Sequence, residues 1–127
     1  MQTEKKDSLD EPVYKDSRGE IHRKKEFGVK FNVLYTKAGA LRSGDVHSSE
    51  QYDLFLKGET EIWFQKGDKI EKIVKGPNEF LVIPPNIPHL FKALTDTVMI
   101  EWWEKDFDVK YFEPFRKLVE EQFKNKE

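Results

Sequence analysis

Asp45 and His47 stand two residues apart in the stretch Gly39-Ala-Leu-Arg-Ser-Gly-Asp45-Val-His47. On an extended strand that spacing sends both side chains off one face, about 7 Å apart along it, so both can reach one small object lying there. Gln51 follows four residues after His47, and the turn-prone Ser48 and Ser49 between them allow the chain to fold back and bring its amide to the same side. His89 arrives at the end of Ile83-Pro-Pro-Asn-Ile-Pro-His89, where three prolines fix a rigid corner ahead of an apolar run. A carboxylate, two imidazoles and an amide therefore converge. A histidine suits proton transfer near neutral pH because its ordinary pKa lies close by. The plainer alternative is a set of polar pocket residues bonded to one another and to water.

These four side chains need a scaffold, and 127 residues are enough for one domain that buries about two thirds of the surface of its unfolded chain. Lys and Arg number 22 against 24 Asp and Glu, with the signs interspersed, which argues against a dedicated nucleic-acid or anionic-membrane surface. No cysteine is present, so thiol chemistry and a disulfide framework are excluded. The first residues are charged where a signal peptide needs an apolar core, and no window is long and apolar enough to span a bilayer. The expectation is a soluble, cytoplasmic protein.

Residues 1–12 are polar and aperiodic, which predicts a flexible tail. Strands are expected at Glu20–His22, Phe31–Lys37, Leu41–His47, Tyr52–Leu56, Glu59–Gln65, Lys69–Val74, Phe80–Ile83, His89–Leu94 and Val98–Trp103, on β-forming composition and alternation. Arg23–Glu26 reads as a charged connection and Phe80–Ile83 as a run buried on both faces. Asp16-Ser-Arg-Gly19 and Lys66-Gly67-Asp68 read as turns. Many short strands broken by Gly, Pro, Asn or Asp describe an all-β barrel or sandwich spanning 13–110. Phe115, Leu118, Val119 and Phe123 then fall at helical spacing, with Pro114 in the first turn. A C-terminal helix over 111–127 is expected to pack on the barrel or on a partner. Exposed strand edges and that apolar helix face suggest a homodimer.

Gly39-x5-Asp45-x-His47-x3-Gln51-x6-Gly58 resembles the first cupin motif in every interval, and Asn78-x5-Pro84-x-Asn86-x2-His89 resembles the second. The resemblance implies a cupin jelly-roll barrel. In metal-binding cupins the positions now held by Asp45, His47, Gln51 and His89 are usually three histidines and a glutamate. The resemblance thus implies one divalent ion (Fe, Zn, Mn or Ni), with Gln51 a poorer ligand than a carboxylate. Asn78 and Asn86 stand where the family often has Gly, and Asn enters left-handed turns more readily than most residues. Asp16-Ser-Arg-Gly19, Arg42, Gln51 and Tyr111-Phe-Glu-Pro-Phe-Arg116 are also similar to the dTDP-4-keto-sugar 3,5-epimerases and 3,4-ketoisomerases. That branch implies proton transfer by His47 and Asp45 without metal, with Arg42 neutralising phosphate. Tyr35 and Glu101 are further pocket candidates, and Glu50 and Asp53 could replace Gln51 as a ligand, although solvated positions are the commoner fate of such residues. Three classes follow: a metal-dependent cupin acting on a small, polar, carbohydrate-like substrate, a metal-independent nucleotide-sugar isomerase, and a non-catalytic small-ligand binder.

Overall fold

The computed structural model describes residues 13–105 and 108–126. The expected tail over 1–12 lies outside the described residues. In chain order the elements are β1 (Val13–Asp16), β2 (Gly19–Glu26), β3 (Val29–Thr36), β4 (Leu41–Val46), β5 (Gln51–Lys57), β6 (Thr60–Lys66), β7 (Lys69–Lys75), β8 (Phe80–Ile83), β9 (His89–Ala93), β10 (Thr97–Trp103), β11 (Lys110–Tyr111) and α1 (Glu113–Lys126). One sheet has the order β1-β2-β3-β10-β5-β8, and the other β11-β4-β9-β6-β7. The pairing is antiparallel throughout. The two sheets close over a shared interior as an all-β jelly roll, with the helix outside.

Strand alternation decides what fills that interior. Leu34 lies opposite Met99, Met99 opposite Phe55, and Ile62 opposite Phe91. These five join Phe64, Leu81 and Ile83 in one buried cluster, each contributing about 1.5–3 kcal/mol by leaving water. Next along the same inward faces, apolar residues give way to polar ones: Asn32 and Thr36 on β3, Asp53 and Gln51 on β5, His89 on β9 and Glu101 on β10.

The helix covers the outer face of the second sheet. Phe115 and Val119 are fully buried against Leu90, with Leu41 and Trp63 beside them. Leu118 stays half exposed. Gln122 accepts from the Leu41 N–H (3.0 Å) and donates to the Leu41 carbonyl (2.7 Å). The amide thereby stands in for a neighbouring strand on the open stretch of the β4 edge.

A bulge in β4 sets the inward face. Arg42 lies opposite Phe91 and Ser43 opposite Leu90, but Asp45 comes next, opposite His89, with Gly44 skipped. One extra residue shifts the phase, so Arg42 and Asp45 both point inward although three positions apart. Ser43 and Gly44 take φ of 80° and 75°.

The structure corrects several expectations. Arg23–Glu26 is strand, pairing with Val29–Asn32. Every residue of this run is polar, so alternation could not reveal it, and Phe27-Gly28, both at positive φ, make the two-residue hairpin turn that holds it. Phe80–Ile83 is buried on one face only, with Phe80 and Val82 exposed. Lys110 and Tyr111 pair with Val46 and Asp45 as β11, so the helix begins after them. The strand β1, at four residues too short to show a pattern, was also not expected. Asn78 and Asn86 do take left-handed φ of 69° and 66°.

A methyl group at Gly44 would meet the backbone of Arg116 at 3.0 Å, whereas at Gly67, φ 64°, it meets nothing within 4 Å. Gly44→Ala is expected to destabilise by about 2 kcal/mol or more and Gly67→Ala by about 1 kcal/mol, as urea midpoints would report.

Candidate functional site

The structure brings Asp45, His47 and His89 together inside the barrel, with one ligating atom from each lying within 4.8 Å of the others. The bulge delivers Asp45, and the two-residue spacing delivers His47. The proline corner starts β9 so that its first residue, His89, faces Asp45 across the sheet. His47 Nε2 lies 3.3 Å and His89 Nε2 3.4 Å from the same oxygen, Asp45 Oδ1. Ser43 Oγ donates to that oxygen at 2.6 Å.

Each imidazole is fixed from behind. His47 Nδ1 bonds the Asp108 carbonyl and His89 Nδ1 the Ile87 carbonyl. A carbonyl only accepts, so Nδ1 carries the proton in both rings and Nε2 is turned to the shared carboxylate. His89 Nε2 and Gln51 Oε1 are buried and make no hydrogen bond among the described residues, so each is a polar atom that gains by receiving a partner. Two Nε2 atoms and a carboxylate oxygen facing one point form the two-histidine, one-carboxylate set that holds divalent iron and related ions. The carbonyls behind the rings are the second layer such sites need. The residues fit the ion that the sequence resemblance implies.

The electrostatics follow from burial and these contacts. Burial alone would raise the Asp45 carboxyl, but bonding to His47, the charge of His89 and the Ser43 hydroxyl hold it below the usual range. For His47, burial pulls down, while Asp45, the Asp108 carbonyl and Glu101 pull up and prevail. His89 goes down, because burial outweighs Asp45.

Glu101 lies on the inward face of β10 opposite Asn32, whose amide donates to it at 3.0 Å. Its carboxyl is pushed up by burial, with Asp45 adding to the effect. Arg42 is buried, donating from Nε to Thr36 Oγ1 (2.7 Å) and from Nη2 to the Tyr35 carbonyl (3.2 Å). Burial and the neighbouring Arg18 pull its pKa down to about 10, so it stays charged at neutral pH. The Asp16 turn holds Arg18 with three guanidinium hydrogen bonds, and its charge reaches Arg42.

Tyr35 is not a pocket residue. Leu34 and Thr36 take the inward positions, which leaves the Tyr35 ring 44% exposed on the outer face, edge-on to His22. Asp53 is likewise not solvated: it is fully buried, two residues from Gln51 on the inward face, and Gln51 Nε2 donates to it at 3.0 Å and 3.2 Å. Glu50 instead accepts from the Tyr52 hydroxyl at 2.7 Å. Trp103 borders the site, its ring edge-on to His47 at 5.5 Å. The signal for both was parity: Asp53 shares its strand face with Gln51, and Trp103 shares Glu101's.

Burial, with Glu101 adding to it, pushes the Asp53 carboxyl well above its ordinary value. A carboxyl raised on folding binds more protons folded than unfolded, so it costs stability progressively as pH climbs above the unfolded value. Asp53→Asn keeps the acceptor and removes the titration. Its thermal midpoint is expected to exceed that of the wild type at pH 7.5, with the difference shrinking as pH falls toward about 4. An equal or lower midpoint at pH 7.5 would contradict a raised Asp53 carboxyl.

No known family model matches the sequence, and no curated protein matches it. Solved structures do match in shape. The capsular polysaccharide assembling protein CapF of Staphylococcus aureus superposes with a TM-score of 0.67 at 22% identity, over 79% of this chain and 32% of that one. A deletion mutant of the Bacillus subtilis oxalate decarboxylase OxdC gives 0.70 at 12% identity, over 81% and 30%. An oxalate oxidase in complex with the substrate analogue glycolate gives 0.59 at 20% identity, over 66% and 46%. The chain thus spans between about a third and a half of these proteins. At such identities the likeness is one of fold, and the fold is the jelly-roll barrel of the cupins.

Proposed function

We propose that this chain is a metal-binding cupin that takes a small, polar, carbohydrate-like ligand into the barrel and acts on it. The observation that carries the reading is the pair of imidazoles fixed through Nδ1, with both Nε2 atoms on Asp45 Oδ1. Asp45, His47 and His89 would hold the ion, with the Gln51 amide oxygen as a fourth donor. A divalent ion there supplies a Lewis acid for a carbonyl or activates water or oxygen. The protein's own groups do the rest. Glu101, its carboxyl raised by burial and oriented by Asn32, is placed to give or take a proton beside the ligand. Arg42 contributes a fixed positive charge. The carbohydrate class is supported by the description of CapF as a capsular polysaccharide assembling protein.

Metal analysis tests it. About one iron, zinc, manganese or nickel ion per chain is expected in the wild type, and less than about a tenth of that in His89→Ala. A wild type purified without chelator and free of metal would end the metal reading. The second reading, a metal-independent nucleotide-sugar isomerase with His47 and Asp45 as the proton-transfer pair, is favoured by their direct contact. It would then take over, and deuterium exchange into a dTDP-4-keto-sugar is its assay. Binding without turnover by either test leaves the non-catalytic binder.

We further read the chain as a cytoplasmic homodimer. No helix among the described residues is long and apolar enough to cross a membrane, and the lack of cysteine suits a reducing compartment. The outer face of the first sheet carries Tyr52, Phe80 and Trp102 with ring centroids 5.6–6.3 Å apart, and Val82 and Leu56 are exposed beside them. An apolar patch of this kind marks an association surface. Sedimentation is expected to show a dimer for the wild type and a monomer for Phe80→Lys/Trp102→Lys, and a monomeric wild type would remove the dimer.

A further inference from the structure

The first sheet splits at one end. β10 stays paired with β3 from Thr97 only as far as Glu101, opposite Asn32. It continues beside β5 to Trp103, opposite Gln51, while β2 and β3 stay paired out to Glu26 and Val29. The β2–β3 hairpin therefore overhangs with no strand beside its tip among the described residues, and the gap is an open cleft of about 1080 Å³. Its inner wall is Asn32, Glu101 and Trp103, and the Trp103 ring touches His47. The cleft thus shares the Trp103 ring with the site.

Its charge differs from that of the chain. Arg23, Lys24, Lys25, Lys30 and Lys105 line it against Glu101 and Glu104, in a protein whose net charge is -2. Register selects among them: Arg23 lies opposite Asn32, and Lys25 opposite Lys30. These three share the face that becomes the barrel interior, so they point into the cleft. Among the described residues none of the three has a carboxylate within ion-pairing reach, and all are exposed. Cations gathered on a concave wall and not paired with its carboxylates attract an anion and concentrate it there.

We propose that this hairpin binds the phosphate or diphosphate group of a small-molecule ligand whose polar head lies against Asp45, His47 and His89. The position of the head rests on the function proposed above, whereas the anion site stands on the hairpin alone. Inorganic pyrophosphate is the probe, titrated calorimetrically into the full chain at low and moderate salt. The wild type is expected to bind, with affinity falling as salt rises. Lys25→Ser/Lys30→Ser is expected to weaken binding about tenfold. Lys69→Ser/Lys117→Ser, exposed lysines elsewhere, should leave it unchanged, and so should His47→Ala. No binding by the wild type, equal loss in the control pair, or loss in His47→Ala would each overturn the site. So would an RNA oligonucleotide binding more tightly than pyrophosphate through the same lysines. Loss of metal in His47→Ala with pyrophosphate binding intact separates the two readings, because each then fails or stands in its own variant.

Discussion

The β4 bulge at Ser43 and Gly44 is the constraint on which the site depends. Without it, Arg42, Gly44 and Val46 would share the inward face, and Asp45 would point at the helix. With it, Asp45 enters the barrel beside His89 and carries His47 in with it. The bulge needs left-handed backbone at two successive residues, one of them a serine, a conformation that costs about 1–3 kcal/mol where the side chain is not glycine. Several contacts hold it. The Phe112 N–H donates to the Gly44 carbonyl at 2.9 Å, and Arg116 Nη1 donates to the Ser43 carbonyl at 3.0 Å. The Ser43 hydroxyl is spent on Asp45 itself. The C-terminal helix, expected from sequence to pack on the barrel or on a partner, therefore also clamps the backbone that aims a candidate ligand.

The interior is also divided along its length. One part is apolar and closely packed around Phe55, Ile62 and Phe91. The other gathers Asp45, His47, His89, Gln51, Asp53, Glu101 and Arg42, with Asp45 and Glu101 partly exposed and the rest buried. Buried ionisable groups cost stability unless paired or neutralised, and both remedies are visible. Asp45 stays charged by pairing with imidazoles, whereas Asp53 is driven toward its neutral form. Packing alone would favour apolar residues at these positions. The polar cluster is retained at the expense of stability, as sites built for chemistry commonly are.

Sequence reasoning reached the barrel, the helix and the meeting of Asp45, His47 and His89, because glycine and proline corners and two-residue spacing are local properties. It did not reach what depends on pairing. Arg23–Glu26 looked like a connection because a strand of charges has no alternation to detect, and only its partners Val29–Asn32 make it one. Tyr35 looked like a pocket residue, but the inward positions beside it belong to Leu34 and Thr36. Asp53 looked solvated because acids usually are, and its burial follows from the register that sets it between Leu81 and Glu101. The bulge itself left a trace in Ser43-Gly44-Asp45, but no rule of sequence distinguishes that from an ordinary turn.

Gln51, like Asp45, is a place where this chain departs from the motif it resembles, and the structure gives a reason for the amide. Its Nε2 donates to both oxygens of Asp53, something a glutamate at the same place could not do. A glutamate would instead set a second buried carboxylate against Asp53, with Glu101 close behind. The amide keeps one oxygen as a donor-free acceptor and adds no charge. The consequence reaches any ion held here: with Asp45 as the one ionised ligand, a divalent ion retains a net positive charge. In a low-dielectric interior that excess favours an anionic or strongly polarised oxygen as the next ligand. In a metal-loaded form the amide would thus weaken the protein's own hold on the ion and leave more of its charge to act on what enters the barrel.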